Sequence, residues 1–312
     1  MILITYWNHR QSKPKAMKNF QRILIALDHS VFDEKMIRYF NTFSHLIAPE
    51  KVHFIYVDHD LEIPPGMEII YNDEAGNPLS KDELLRTALE RKVETGYTQR
   101  HGAEVTIDIL EGDPLKEILH WVKVKEADLL IVGNKKMSEG SGVMAKKIAR
   151  HADCAVLFVP ETSQENIRKM LVPVDFSDHS KLAMQGAIDL AAELENVEVT
   201  AFNTYDVPMT GNPSINLSYE RVKEDIKAFK REALEKFILH FDTRGVTLSS
   251  DLAVNEKGNP AKQIYAQAVK GSYDLIVIGA KGHSTLERVF LGSVTEKLLG
   301  LDKEIPVLVL RK

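Results

Sequence analysis

The sequence has one cysteine, Cys154, among 312 residues. No intramolecular disulfide can close, and no zinc site built on several thiolates can form. The residues around it, Ala152, Ala155, Val156 and Leu157, are small and apolar, which points to a buried thiol beside a strand rather than a reactive one. Long apolar runs are also missing: none approaches the ~18 residues that a membrane-crossing helix requires. The opening MILITYW is short, has no basic residue before it and runs directly into Asn8, His9 and Arg10, which makes it a poor secretory signal. Positive charge is not in excess, since 40 Lys and Arg stand against 45 Asp and Glu for a net charge of −5. That balance gives no electrostatic case for nucleic acid. A cytoplasmic protein with neither nucleic acid nor membrane as partner is therefore expected. Familiar catalytic signatures are lacking too. There is no G-x-x-x-x-G-K-[ST] loop, no G-x-G-x-x-G and no G-x-S-x-G elbow. His29, His53 and His59 invite a metal hypothesis, but no H-E-x-x-H or comparable ligand spacing supports it.

What the chain does contain is an internal repeat. QRILIALD at Gln21–Asp28 returns as RKMLVPVD at Arg168–Asp175, 147 residues later. Glu111–Lys135, holding GDP and then ADLLIVGNK, returns as Lys257–Lys281, holding GNP and then YDLIVIGAK. AVLFVP at 155–160 answers PVLVLR at 306–311. Solenoid units are ~20–50 residues long, so a period this large means a duplicated domain. The division expected is a tail over residues 1–19, with Met17 as an alternative start, a first domain over 20–160 and a second over 167–312. The polar stretch ETSQEN at 161–166 is the linker.

Each copy alternates strand and helix. In the second, strands are expected at Met170–Val174, Val197–Phe202, Thr247–Ala253, Leu275–Ile278 and Val307–Leu310. Several are continuous apolar runs, as when helices cover both faces of a sheet. Helical spacing runs through Lys181–Leu194, Tyr219–Phe241 and Pro260–Val269, the last opening on a proline whose missing N–H costs nothing there. In the first copy, Ser80 and Glu83 have the spacing of a capping box. The class is α/β, with a parallel, doubly wound sheet in each half and right-handed crossovers. Strand order does not follow from periodicity.

In open parallel sheets, ligands sit beyond the C-terminal strand ends. In the second copy the first strand ends at Pro173-Val174-Asp175 and the fourth at Ile278-Gly279-Ala280-Lys281-Gly282; Gly292-Ser293-Val294-Thr295 then opens a helix. Gly279 and Gly282 permit positive φ and close backbone approach. A helix start at Gly292–Ser293 attracts anions, with Ser293 and Thr295 as hydroxyl donors. Asp175 suits ribose hydroxyls, and Lys281 and Arg288 supply countercharge. His179 and His283 are candidates to line the same cleft. Each feature also has a structural reading: Ser293 with Glu296 makes a capping box, and Asp175 with Ser177 and Asp178 starts a helix.

Gly279-x₂-Gly282-x₉-Gly292-Ser293 resembles the nucleotide-binding signature of the universal stress proteins, as does Pro173-Val174-Asp175. The resemblance covers about 140 residues in each half. It implies two tandem Rossmann-like (adenine-nucleotide-hydrolase-like) domains with five-stranded sheets, and bound ATP, often with Mg²⁺. Carried over by position, Asp175 meets the ribose. Val174, Phe202 or Asn203, and Ile278 frame the adenine. Gly279, Gly282, Gly292, Ser293, Val294 and Thr295 hold ribose and phosphates. It also implies pairing through the last strands, Ala155–Val159 and Val307–Leu310, either within one chain or in a homodimer.

The first copy departs from this pattern. Asp28 and Gly133 remain, but Lys136 stands in place of Gly282, the loop Met137–Ser141 is four residues shorter, and Val143 replaces Ser293. Nucleotide is therefore expected in the C-terminal half. The function expected is an ATP-binding stress or signalling protein. Two alternatives stand beside it: a slow ATP hydrolase, and a partner-binding tandem module whose motif is vestigial.

Overall fold

A computed structural model describes residues 20–62, 80–98, 102–134, 141–207, 216–255, 258–282, 291–301 and 304–311. The expected tail at 1–19, Lys135, Lys136, most of the loop 137–141, His283 and Arg288 lie outside these residues.

The first half runs β1 (Arg22–Leu27), α1 (Phe32–Ile47), β2 (Lys51–Asp58), α2 (Lys81–Gly96), β3 (Glu104–Glu111), α3 (Pro114–Val124), β4 (Leu129–Asn134), α4 (Ser141–His151) and β5 (Ala155–Pro160). The second repeats it as β6 (Lys169–Pro173), α5 (Asp178–Ala191), β7 (Glu198–Tyr205), α6 (Asn216–Ile238), β8 (Thr247–Val254), α7 (Pro260–Lys270), β9 (Leu275–Gly279), α8 (Ser293–Leu301) and β10 (Val307–Leu310). All strands join one ten-stranded sheet in the order β3-β2-β1-β4-β5-β10-β9-β6-β7-β8. Each half is parallel within itself. Among the described residues the one antiparallel pair is β5 with β10, in the register Val307 to Phe158, Leu308 to Leu157 and Val309 to Val156. The expected internal pairing of the last strands is thus present as a continuous seam.

Two apolar layers sandwich the sheet. Ile23, Ile25 and Leu157 face α1, α2, α5 and α6, together with Leu308 of the other half. Leu24, Val156 and Phe158 face α3, α4, α7 and α8, together with Val307 and Val309. Each core therefore crosses the seam between the halves. The repeated Asp before β4 and β9 has a shared role. Asp128 Oδ2 accepts from the N–H groups of Gln21 and Arg22 at 3.1 and 3.0 Å. Asp274 Oδ2 accepts from those of Arg168 and Lys169 at 2.8 and 2.9 Å. In each half it clips the start of the first strand to its neighbour.

The helix starts obey their sequence signals. Asp113 and Asn259 cap α3 and α7 by accepting from Lys116 N and Lys262 N, each followed by proline. Ser80 and Glu83 form their capping box. Expected boundaries move by up to three residues. β7 continues to Tyr205 because β8 keeps pairing with it out to Val254. α5 starts at Asp178 because Ser177 caps it.

Candidate functional site

In each half the strand order reverses between the first and fourth strands, so the connections leaving β6 and β9 diverge. A cleft of about 280 Å³ opens at that point. From β6 and its end it takes Pro173, Val174 and Asp175; from β7, Phe202 and Asn203; from β9 and its end, Ile278, Gly279, Lys281 and Gly282. The start of α8 contributes Gly292, Ser293, Val294 and Thr295. Thirteen of the residues singled out from the sequence, those of the strand ends and the glycine motif, line this one cleft. Ser180, Thr204, Pro260 and Ile264 complete it. These four were missed, although Pro260 and Ile264 are spaced i, i+4 on the apolar face of α7, the signal that would have found that pair.

Backbone geometry sets the floor. Asp175 Oδ1 accepts from Ser177 N at 3.0 Å, Phe176 takes a left-handed φ of 67°, and Ser177 Oγ accepts from Ser180 N at 3.2 Å. A tight turn therefore lifts Asp175 into the cleft before α5 begins. Val174 N donates to Phe202 O at 2.8 Å, and Asn203 Nδ2 donates to Val174 O at 2.6 Å. The two strand tips are tied together on both sides of Val174.

The glycines serve closeness rather than unusual dihedrals. None of Gly279, Gly282 and Gly292 has a positive φ, so the left-handed freedom that the first two permit is not used. Instead, a Cβ at Gly279 would lie 2.7 Å from His179, and one at Gly282 would lie 2.5 Å from Asp175 Oδ2. At Gly292 it would lie 3.3 Å from Ala280 O and from Lys281 Cα. His179 packs on Gly279 and is not a lining residue.

The start of α8 is pinned to the end of β9. Gly292 N donates to Ala280 O at 2.7 Å, Thr295 Oγ1 donates to Gly279 O at 2.9 Å, and Ala280 N donates to Leu310 O at 2.8 Å. Gly292 O accepts the first helical bond, from Glu296 N at 2.9 Å. Ser293 is thus the first helical residue, not the cap. The expected Ser293–Glu296 capping box does not form, and Glu296 instead pairs with Arg150 at 2.9 Å.

In the first half, Asp28 and a left-handed His29 repeat the Asp175–Phe176 turn. Phe32 and Asp33 stand where the second half has His179 and Ser180. Phe32 packs on Gly133, and the buried Asp33 accepts from Asp28 N at 3.1 Å and pairs with Lys92 at 3.0 Å. Burial raises the Asp33 carboxyl pKa above its ordinary value, although its partners at Asp28 and Lys92 oppose the shift. His53 is held by Thr106 at 2.7 Å, and no group of three potential metal ligands occurs among the described residues. Cys154 is buried, and burial pushes its thiol up to about 12.

The model of the Universal stress protein family matches twice, over residues 19–160 and 166–311. The chain belongs to the universal stress protein family. It is 37% identical over 150 residues to the universal stress protein MJ0531 of Methanocaldococcus jannaschii, an alignment spanning 47% of this chain and 85% of that one. It is 29% identical over 150 residues to the universal stress protein YxiE of Bacillus subtilis, spanning 46% and 98%. The crystal structure of a universal stress protein from Archaeoglobus fulgidus superposes with a TM-score of 0.58 at 17% identity. It covers 93% of this chain and 96% of that one, so the tandem arrangement of the fold is shared along nearly the whole length. No helix among the described residues of this family member is long and apolar enough to cross a membrane.

Proposed function

We propose that this universal stress protein binds an adenine nucleotide, ATP with Mg²⁺, in the cleft of its C-terminal half, and that occupancy serves a stress-response or signalling role. The observation that carries this reading is the convergence of all thirteen motif residues on one cleft. A volume of about 280 Å³ lies just below the range of small-molecule pockets, roughly 300–1,000 Å³. That suits a nucleoside held inside, with its charged tail at the open helix start. Phe202, Ile264 and Ile278 offer an apolar slot for a base. Asp175 offers an acceptor for ribose hydroxyls, as acidic residues do in dinucleotide folds. The first turn of α8, Ser293 and Lys281 offer donors and charge for phosphate.

Asp175 is the one carboxylate among the described lining residues. A Mg²⁺ ion would therefore be held mainly through phosphate oxygens and water, as this ion commonly is. Asp175 is also engaged with Ser177 N, so it is poorly placed as a general base, and any hydrolysis is expected to be slow. The experiment is direct. Purified full-length protein is denatured and its released small molecules are identified, and the refolded or ligand-free chain is titrated with ATP and Mg²⁺. An adenine nucleotide in the extract, or saturable ATP binding, supports the reading. A chain that neither carries nor binds one favours the partner-binding module.

A further inference from the structure

Helix α4 of the first half lies antiparallel against α8 of the second. Arg150 Nη2 meets Glu296 Oε1 at 2.9 Å. Four residues back along α4, the Lys146 ammonium reaches Gly300, where a Cβ would come within 2.8 Å of it. The pairs 150 with 296 and 146 with 300 fix the opposed directions of the two helices.

Glu296 is in the first turn of α8. It lies three residues beyond Ser293, about 4.5 Å of helical rise. A carboxylate in that turn is favoured by the helix dipole, but it competes for the same positive end with any anion bound at the cleft. Arg150 removes that conflict. Thr295, one residue earlier, is buried and fastened to Gly279, which fixes the backbone of this turn beside the cleft. The charge at this end of the cleft is therefore completed by a residue from the half that lacks the glycine motif.

We propose that Arg150 is a positioning residue for the phosphate end of the C-terminal cleft, neutralising Glu296 across the domain boundary so that α8 presents a net positive start to an anionic ligand. This rests on the nucleotide reading above. It gives the first domain a part in ligand selection: a triphosphate feels Arg150, whereas an uncharged nucleoside does not. The bridge is partly exposed, with the two side chains 45% and 34% accessible. Such pairs add little to stability, so substitutions there are expected to fold.

The test is titration of the full-length chain with ATP and, separately, with adenosine, comparing the parent with Arg150→Ala, Glu296→Gln and the double variant. Arg150→Ala is expected to weaken ATP about three- to tenfold, the scale of one unit charge several ångströms away under surface screening. Adenosine should be unchanged. Glu296→Gln is expected to tighten ATP by a similar factor, the double variant to recover at least parental affinity, and Arg150→Lys to retain most of it. If the bridge merely holds two helices together, both single substitutions break it and shift ATP and adenosine in the same direction, which overturns the inference. ATP binding that neither substitution alters overturns this inference alone. A parent chain that binds no ATP overturns the nucleotide reading and this inference with it.

Discussion

Gly282 lies against Asp175 so closely that a Cβ at position 282 would stand 2.5 Å from Asp175 Oδ2. Two loops, one after β6 and one after β9, thereby meet at the sheet's switch point, and any larger residue at 282 would have to displace the Asp175 carboxylate. The neighbouring helix start is fixed just as firmly through Thr295 and Gly292. A site assembled from three chain segments can stay in register only if each segment is tied to the others.

Ser293 heads α8 without capping it, so Ser293→Ala should leave helix stability nearly intact and act on the ligand. Loss of one hydrogen bond to a charged phosphate costs ~1.5–3 kcal/mol, or roughly 10- to 150-fold in affinity. Calorimetry with ATP, alongside a thermal melt, checks both halves of this expectation.

Leu308 is fully buried on β10, opposite Leu157 of β5. Leu308→Ala should destabilise the protein by about 2–5 kcal/mol. Because both cores cross the seam, an introduced charge there should damage the whole molecule rather than let two halves swing apart. Urea unfolding followed by tryptophan fluorescence and by circular dichroism should give one coincident transition in the parent. Two separated transitions would mean that the halves fold independently.

His53 is buried against Thr106, and burial first, then the nearby Lys125 charge, lowers its pKa below the usual 6.5. The unfolded chain therefore takes up the imidazole proton before the native one does, and stability falls as pH drops through about 6.5 toward the native value. His53→Gln should remove that part of the slope. Denaturant midpoints for parent and variant between pH 5 and 8 check it; parallel curves would contradict the assignment.

Cys154 should be inert in the folded protein, because burial holds its thiol up at about 12. A thiol reagent at pH 8 is expected to label it only once denaturant is added. Rapid labelling of the native chain would show that this strand end opens readily.

Much of this architecture was legible in the residues. The continuous apolar runs at Ala155–Val159 and Val307–Leu310 identified the strands of the seam, and Pro260 marked the start of α7. Strand order was not legible, because a parallel crossover leaves no periodic trace of which neighbour it reaches. The glycine spacing located the cleft, but the reason for the glycines did not follow from it. Positive φ and close backbone approach to a ligand were the two uses expected of them, whereas their close neighbours in the fold are His179 and Asp175. Ser293–Glu296 read as a capping box because sequence spacing carries no information about Arg150, 146 residues away, which takes the glutamate instead. Phe32, which packs on Gly133, and the buried Asp33, which pairs with Lys92, went unnoticed because neither breaks the helical pattern of α1.

We propose that the nucleotide is held by the C-terminal cleft and not by its counterpart in the first half. Calorimetric titration of the full-length chain with ATP and Mg²⁺, repeated with Gly282→Val, tests it most directly. One site per chain is expected in the parent and its loss in the variant, with the variant's melting behaviour showing that it is folded. Two equivalents per chain in the parent, or a folded Gly282→Val chain that still binds one equivalent at parental affinity, would contradict it.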